Sequence, residues 1–265
     1  MRTVKPKKIL GQHFLKDLDI ARKIADTLDN FSGLPVIEVG PGMGVLTQFL
    51  IEKDRDLTVV ELDRDSVPYL NANYPALRGH IIEADFLKLN LDEIYPGKFC
   101  VIGNYPYNIS SQIFFKVLDH KEQVVCCSGM LQKEVAERMA SKPGRKAYGI
   151  LSILLQAWYD IEYLFTVDEH VFDPPPKVKS AVVRLTRNSR ERMNCDEKLF
   201  KTLVKTSFNQ RRKTLRNSTK PLLGKDCEIT SLPVFDKRPE QLSVAEFEEL
   251  TNLIQPYITE NEAKR

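Results

Sequence analysis

Four consecutive residues, Asn104-Tyr-Pro-Tyr107, hold the most specific chemistry in this sequence. Asn104 offers a side-chain amide oxygen, and Pro106 offers a main-chain carbonyl oxygen. Two acceptors so placed can bind both hydrogens of an amino group attached to a heteroaromatic ring. Such a nitrogen is a poor nucleophile, because its lone pair is delocalised into the ring. Holding its hydrogens on two acceptors draws it toward a tetrahedral form and aims the lone pair at an electrophile. Proline fixes the local backbone, so its carbonyl keeps one direction. Tyr107 supplies a flat face for a base taken out of its stack. Phe172, ahead of Pro174-Pro-Pro176, can cover the other face, although an aromatic beside prolines also simply packs. The bland alternative for the tetrapeptide is a proline-containing turn between a strand and a helix.

The electrophile is suggested by Val36-Ile-Glu-Val-Gly-Pro-Gly-Met-Gly-Val-Leu-Thr47, an apolar strand entering a glycine-rich turn and then a helix. Glycines at 40, 42 and 44 allow a ligand close to the main chain. A dinucleotide fingerprint read from Gly40 wants a small residue at position 45, which is Val45, so the loop suits a pyrophosphate poorly. The next strand ends in Val60-Glu-Leu-Asp63, and Glu61 stands where such folds place an acid against a ribose. The one after ends in Glu83-Ala-Asp-Phe-Leu87. There Asp85 can accept from an adenine amino group and Phe86 can pack near the ring. One acid at a strand end is commonly a solvated turn residue. Three strand ends in series with this chemistry describe an adenosine without phosphates, hence S-adenosylmethionine. The reaction would be in-line displacement at its methyl carbon, relying on proximity and alignment.

Alternating elements must position these loops. Candidate strands at Val36–Val39, Thr58–Leu62, His80–Glu83, Phe99–Gly103 and Gln123–Ser128 alternate with amphipathic stretches such as Leu46–Lys53 and Ser110–Leu118. That alternation predicts an α/β fold with a parallel sheet. A helical stretch at Tyr148–Trp158 precedes β-rich segments at Tyr159–Val167 and Ala181–Leu185. Beyond Thr186 the pattern predicts only helices, at Glu197–Thr206, Asn209–Asn217 and Ser243–Gln255. Ser243 and Glu246 form a capping box for the last. Two domains are therefore expected, 1–186 for the cofactor and the chemistry, and 187–265 as a small all-helical domain.

The segment Lys177–Lys220 contains 14 Lys or Arg against 3 Asp or Glu. Such a block is either a phosphate-facing surface or a solvated helical face. Arg211, Arg212 and Lys213 are its densest cluster and the candidate RNA contacts. No apolar run has membrane-spanning length. The basic start Met1–Lys8 leads into no apolar segment of signal-peptide type. The five cysteines form no C-x-x-C pair and no zinc-type spacing, so no metal is expected. Cys126 and Cys127 read as buried small hydrophobes, and the default location is cytoplasmic.

The chain resembles the bacterial small-subunit ribosomal RNA adenine dimethyltransferases, and more widely the group with erythromycin-resistance methyltransferases and eukaryotic dimethyladenosine transferases. The resemblance rests on Gly11-Gln-His-Phe-Leu15, Glu38-Val-Gly-Pro-Gly42, Glu61-Leu-Asp63, Ala84-Asp-Phe86, Asn104-Tyr-Pro-Tyr-Asn-Ile-Ser110, Gln132-Lys-Glu-Val-Ala136, Phe172-Asp-Pro-Pro-Pro-Lys-Val178 and Phe208-Asn-Gln-Arg-Arg-Lys-Thr-Leu215. It implies a class I, Rossmann-like methyltransferase sheet of seven strands, mostly parallel with the last antiparallel, followed by the helical domain. It implies cofactor contacts at His13, Leu15, Gly40, Glu61, Asp85 and Asn104. It further implies four methyl transfers, two to each of two adjacent adenines near the 3′ end of 16S rRNA in a pre-30S particle, by a monomer. Two positions depart from the family pattern. His13 stands where Asn is frequent, and Tyr105 stands where Leu is usual. The rival readings are a 23S rRNA methyltransferase of the antibiotic-resistance type, a noncatalytic assembly factor on the same fold, and a DNA adenine methyltransferase.

Overall fold

A computed structural model describes Lys7 and residues 11–263; the rest of the basic start lies outside the described residues. The chain divides into two compact units, Met1–Glu137 with Tyr159–Arg187, and Arg138–Trp158 with Asn188–Arg265.

The first unit is a mixed sheet flanked by helices. In chain order its elements are β1 (Phe14–Leu15), α1 (Leu18–Asp26), β2 (Val36–Val39), α2 (Thr47–Glu52), β3 (Leu57–Glu61), α3 (Ser66–Asn73), β4 (Ile81–Glu83), β5 (Phe99–Asn104), α4 (Ser110–Asp119) and β6 (Val124–Gln132). Then α5 (Lys133–Met139) begins in it, and β7 (Tyr159–Val167), β8 (Phe172–Asp173) and β9 (Ser180–Arg187) complete it. Seven strands form one sheet in the order β4-β3-β2-β5-β6-β9-β7. β4, β3, β2, β5 and β6 run parallel to their neighbours, while β9 is antiparallel to both β6 and β7. The expected seven-stranded arrangement with an antiparallel last strand is therefore observed.

β2 and β3 are buried along their whole length. This is why their residues read as unbroken apolar runs rather than as an alternation. α1 starts because Asp17 accepts the Ile20 N–H at 3.0 Å, and its Ala21, Ile24 and Ala25 face the core. Such a cap is worth about 1 kcal/mol. A feature with no sequence counterpart is the two-stranded sheet of β1 with β8, pairing Phe14 with Asp173 and Leu15 with Phe172. It joins segments more than 150 residues apart in the chain, a separation local patterns cannot report.

The second unit holds α6 (Ile150–Gln156), α7 (Glu197–Asn209), α8 (Leu215–Ser218), α9 (Lys220–Leu223) and α10 (Val244–Ala263). Phe200 and Phe247 meet edge to face at 6.5 Å in its interior. The Ser243 capping box forms as expected: Ser243 Oγ accepts from Glu246 N at 3.2 Å, and Glu246 Oε2 accepts from Ser243 N at 2.8 Å.

Two expectations need correction here. A single division at residue 186 matches the second crossing of the chain, at Arg187 and Asn188, but the helical unit also takes in Arg138–Trp158. Its tie is visible in the Gly144 N–H, which donates to Glu240 O at 2.7 Å. The helix expected over Asn209–Asn217 is also broken. α7 ends at Asn209 because Gln210 leaves helical geometry, with φ −121 and ψ 44. The Leu215 N–H is taken by Lys237 O at 2.8 Å. Arg211, Arg212 and Lys213 thus lie in a turn between α7 and α8 rather than on a helix.

Candidate functional site

One cavity in the first unit gathers the carboxyl-end loops of β2, β3, β4 and β5, together with residues 11–15. Parallel strands deliver their ends to one edge of the sheet, so four loops distant in sequence meet there. The glycine loop after β2 forms its floor. Gly40, Gly42 and Gly44 have φ of +69, +57 and +78, a region that glycine enters without strain. At Gly44 there is a second reason for glycine, since an added Cβ would lie 2.3 Å from the Tyr74 ring.

Glu61, at the end of β3, is buried. Its Oε2 accepts from Gly42 N at 2.9 Å and its Oε1 from Asp63 N at 2.7 Å. Burial raises its pKa, and these backbone donors work in the other direction. Asp63 is braced in turn, with Oδ1 taking Lys7 Nζ at 2.5 Å and Oδ2 taking Gln12 Nε2 at 3.0 Å. Burial alone would raise the Asp63 pKa; the Lys7, Asp65 and Gln12 donors outweigh it and hold it low. Asp85 caps the turn after β4, accepting from Leu87 N at 3.0 Å.

Glu38 is a functional candidate that the motif reading left without a role. Its signal is an acid inside an otherwise apolar strand. It is 1% exposed, and burial pushes its carboxyl up to about 8. The Thr47 hydroxyl opposes that shift, but neither Glu38 Oε2 nor Thr47 Oγ1 completes a hydrogen bond. A buried polar atom left without a partner costs free energy, and Glu38 Oε2 belongs to a residue that lines the cavity.

At the end of β5, Asn104 borders the cavity, and its Nδ2 donates to His13 O at 3.1 Å. Pro106 O accepts from Ile109 N at 3.2 Å within the turn, leaving its second lone pair. The Tyr107 hydroxyl is hydrogen-bonded to Ser180 Oγ of β9, and its ring lies 5.3 Å from that of His13, tilted by 30°. Burial raises the Tyr107 pKa. Tyr105 points away into the core, 1% exposed, and its hydroxyl donates to Ser128 O at 2.7 Å. Room for that ring comes from facing glycines, since a Cβ would lie 2.7 Å from the ring if placed on Gly129 and 3.1 Å from it if placed on Gly103.

His13, Leu15, Gly40, Glu61, Asp85, Asn104, Pro106 and Tyr107 are therefore brought to one cavity. Phe172 is not among its lining residues. It is 1% exposed, because pairing of β8 with β1 turns its ring into the core beside Leu15. As placed, it presents no face to a base. Arg211, Arg212 and Lys213 belong to the second unit.

The lining contains three carboxylates, Glu38, Glu61 and Asp85, and among the described residues no Lys or Arg. With Glu38 kept protonated by burial, a phosphate-bearing ligand would still find no cationic side chain there and would face the acids Glu61 and Asp85. S-adenosylmethionine, with a sulfonium and no phosphate, fits this donor set. Glu61 and Asp85 would hold its ribose and adenine, and the bound molecule would supply an activated methyl group.

Fold and site together define a class I S-adenosylmethionine-dependent methyltransferase. The family model described as ribosomal RNA adenine dimethylase matches residues 3–254, and the chain belongs to that family. It is 74% identical over 258 residues to a ribosomal RNA small subunit methyltransferase A of Parabacteroides distasonis, covering 97% of each chain. The protein of the same name from Bacteroides thetaiotaomicron is 67% identical, covering 96% of each. A 23S rRNA methyltransferase, ErmE, is similar in structure with TM-score 0.66 and 26% identity, over 90% of this chain and 99% of that one. A Plasmodium falciparum dimethyladenosine transferase shares the fold, with TM-score 0.78 and 24% identity over 92% and 98% of the two chains.

Proposed function

We propose that this protein dimethylates the N6 amino groups of two adjacent adenosines in the 3′-terminal hairpin of 16S rRNA, acting in the cytoplasm as a monomer on a pre-30S particle. Asn104 Oδ1 and the free lone pair of Pro106 O bind the two amino hydrogens, and Tyr107 stacks on the extruded base. So held, the nitrogen would receive the methyl in line from the bound donor, the carbon–sulfur bond breaking as the carbon–nitrogen bond forms, with S-adenosylhomocysteine leaving and the displaced proton passing to solvent. His13, Leu15, Gly40, Glu61, Asp85 and Asn104 hold the donor. Arg211, Arg212 and Lys213 contact RNA phosphates.

The observation that carries this reading is the Asn104 amide at the edge of an acid-lined cavity, with its nitrogen already engaged and its oxygen taking no hydrogen bond from any described residue. The small subunit is favoured over the large by identity, 74% to a small-subunit enzyme against 26% to the 23S one. Dimethylation requires space for the first methyl when the monomethylated nitrogen returns. The test is incubation with labelled S-adenosylmethionine and unmethylated small subunits, large subunits or duplex DNA. Dimethyladenosine in small-subunit RNA is the expected product. Label confined to large subunits or to DNA would overturn the proposal.

A further inference from the structure

Asn104 can serve as an acceptor only if its side chain is the right way round. A carboxamide has one accepting end and one donating end. Flipped, it would present N–H groups to an amino group, donor against donor, and the chemistry would stop. The structure contains a group that fixes the choice. The His13 main-chain carbonyl can only accept, and it faces Asn104 Nδ2 at 3.1 Å. Oδ1 takes no hydrogen bond from any described residue, so it remains available at the cavity edge.

The carbonyl of His13 is itself held from several directions. The following residues, Phe14 and Leu15, are paired into the two-stranded sheet with Asp173 and Phe172. Lys16 N extends that ladder, donating to Val171 O at 2.8 Å. The His13 ring makes a further tie, with Nδ1 2.8 Å from Pro174 O. Because a carbonyl cannot donate, Nδ1 must carry the proton there. The same ring leans on Tyr107 at 5.3 Å. Gly11 is packed so closely that an added Cβ would lie 2.7 Å from Asn108 Oδ1. The segment 11–16 is thus fastened both to the loop that follows β5 and to the β8 loop.

We propose that His13 is a positioning residue for methyl transfer: tied through its ring to Pro174, it places its carbonyl to orient the Asn104 amide with the oxygen toward the base. This rests on Asn104 as the acceptor of the amino hydrogens. It gives residue 13 a task beyond forming part of the donor pocket. It also accounts for a main-chain atom carrying the role, with the side chain needed only as an N–H donor toward Pro174 O.

A double-mutant cycle in single-turnover methylation of unmethylated small subunits tests this, with donor and subunit both saturating. His13→Ala should slow the saturated step by roughly tenfold or more, the scale at which misplaced reacting groups lose rate. A residue that merely walled the donor pocket would instead raise the donor concentration needed and leave the saturated rate alone. His13→Asn, which retains an N–H donor, should recover most of the rate. In an Asn104→Ala background, His13→Ala should cost nothing further, because no amide is left to orient. Calorimetric titration with S-adenosylhomocysteine establishes that each variant is folded and how donor-site affinity changes. The same His13→Ala loss in both backgrounds, or no loss in either, would overturn the positioning role. Full activity of Asn104→Ala alone would instead overturn the underlying reading of Asn104.

Discussion

The Gly42 N–H donates to Glu61 Oε2 at 2.9 Å, so the glycine loop after β2 is bonded directly to the acid that ends β3. The other oxygen of Glu61 takes the Asp63 N–H at 2.7 Å. One carboxylate therefore braces the glycine loop with one oxygen and the turn after β3 with the other, and in the proposed donor site its remaining lone pairs would take the ribose hydroxyls.

Glu61→Gln should not behave as a conservative change. A carboxamide can accept at one end only, so either Gly42 or Asp63 would face a second donor. Charge-assisted bonds of this kind are worth about 1.5–3 kcal/mol. Donor affinity should fall by roughly tenfold to a hundredfold, read by calorimetric titration with S-adenosylmethionine. Unchanged affinity would remove Glu61 from the donor site.

Glu38 predicts a pH effect on stability in the donor-free protein. Burial raises its carboxyl from an ordinary 4.5 to about 8 in the folded state. The folded protein then keeps a proton that the unfolded chain releases, so stability falls as pH rises from about 4.5 to about 8 and levels off above. The linkage amounts to a few kcal/mol, because each tenfold gain in proton affinity on folding is worth about 1.4 kcal/mol. Glu38→Gln cannot ionise. Its melting temperature relative to the native protein should therefore climb steadily between pH 5 and pH 8. A constant difference across that range would show that Glu38 ionises normally.

Tyr105 should contribute to stability through its hydroxyl. That group is buried and donates to Ser128 O at 2.7 Å, beneath the Asn104 loop. Tyr105→Phe keeps the ring and removes that one bond, at a cost of about 0.5–1.5 kcal/mol. A denaturant midpoint shift with an unchanged slope would register it. Equal stability of the two proteins would mean that the hydroxyl anchors nothing.

Charge reversal at Arg211 and Arg212, as Arg211→Glu with Arg212→Glu, should weaken subunit binding and flatten its dependence on salt. Each lost phosphate contact lowers the slope of log affinity against log salt by about 0.7–0.9. Binding measured at several salt concentrations gives the slope. An unaltered slope would place the RNA surface elsewhere.

Much of the candidate site was legible because its groups sit in short motifs whose spacing is set by single turns. The acid of Glu61, the glycines at 40, 42 and 44 and the Asn104 tetrapeptide each belong to one strand end, and strand ends are local events. The break at Gln210 was not legible. The chain leaves helical geometry there although residues 210–215 carry no helix-breaking side chain, and Leu215 N is then taken by Lys237 O, 22 positions away. Phe172 was misplaced for a similar reason. Its sequence allowed either a stacking face or simple packing, and the pairing of β8 with β1 decides for packing.

The sequence alone determined the alternation of the main parallel strands with helices, the family, and the chemical identity of the groups that can bind a sulfonium donor and an amino acceptor. Those are properties of residue type and of spacing over a few positions. Tertiary structure decided which way those groups face. The orientation of the Asn104 amide depends on a carbonyl 91 positions earlier, and the proton held by Glu38 depends on complete enclosure. Direction and solvent access arise only when distant segments pack, because a hydrogen-bond partner or a water-excluding wall exists only once the chain has brought it there.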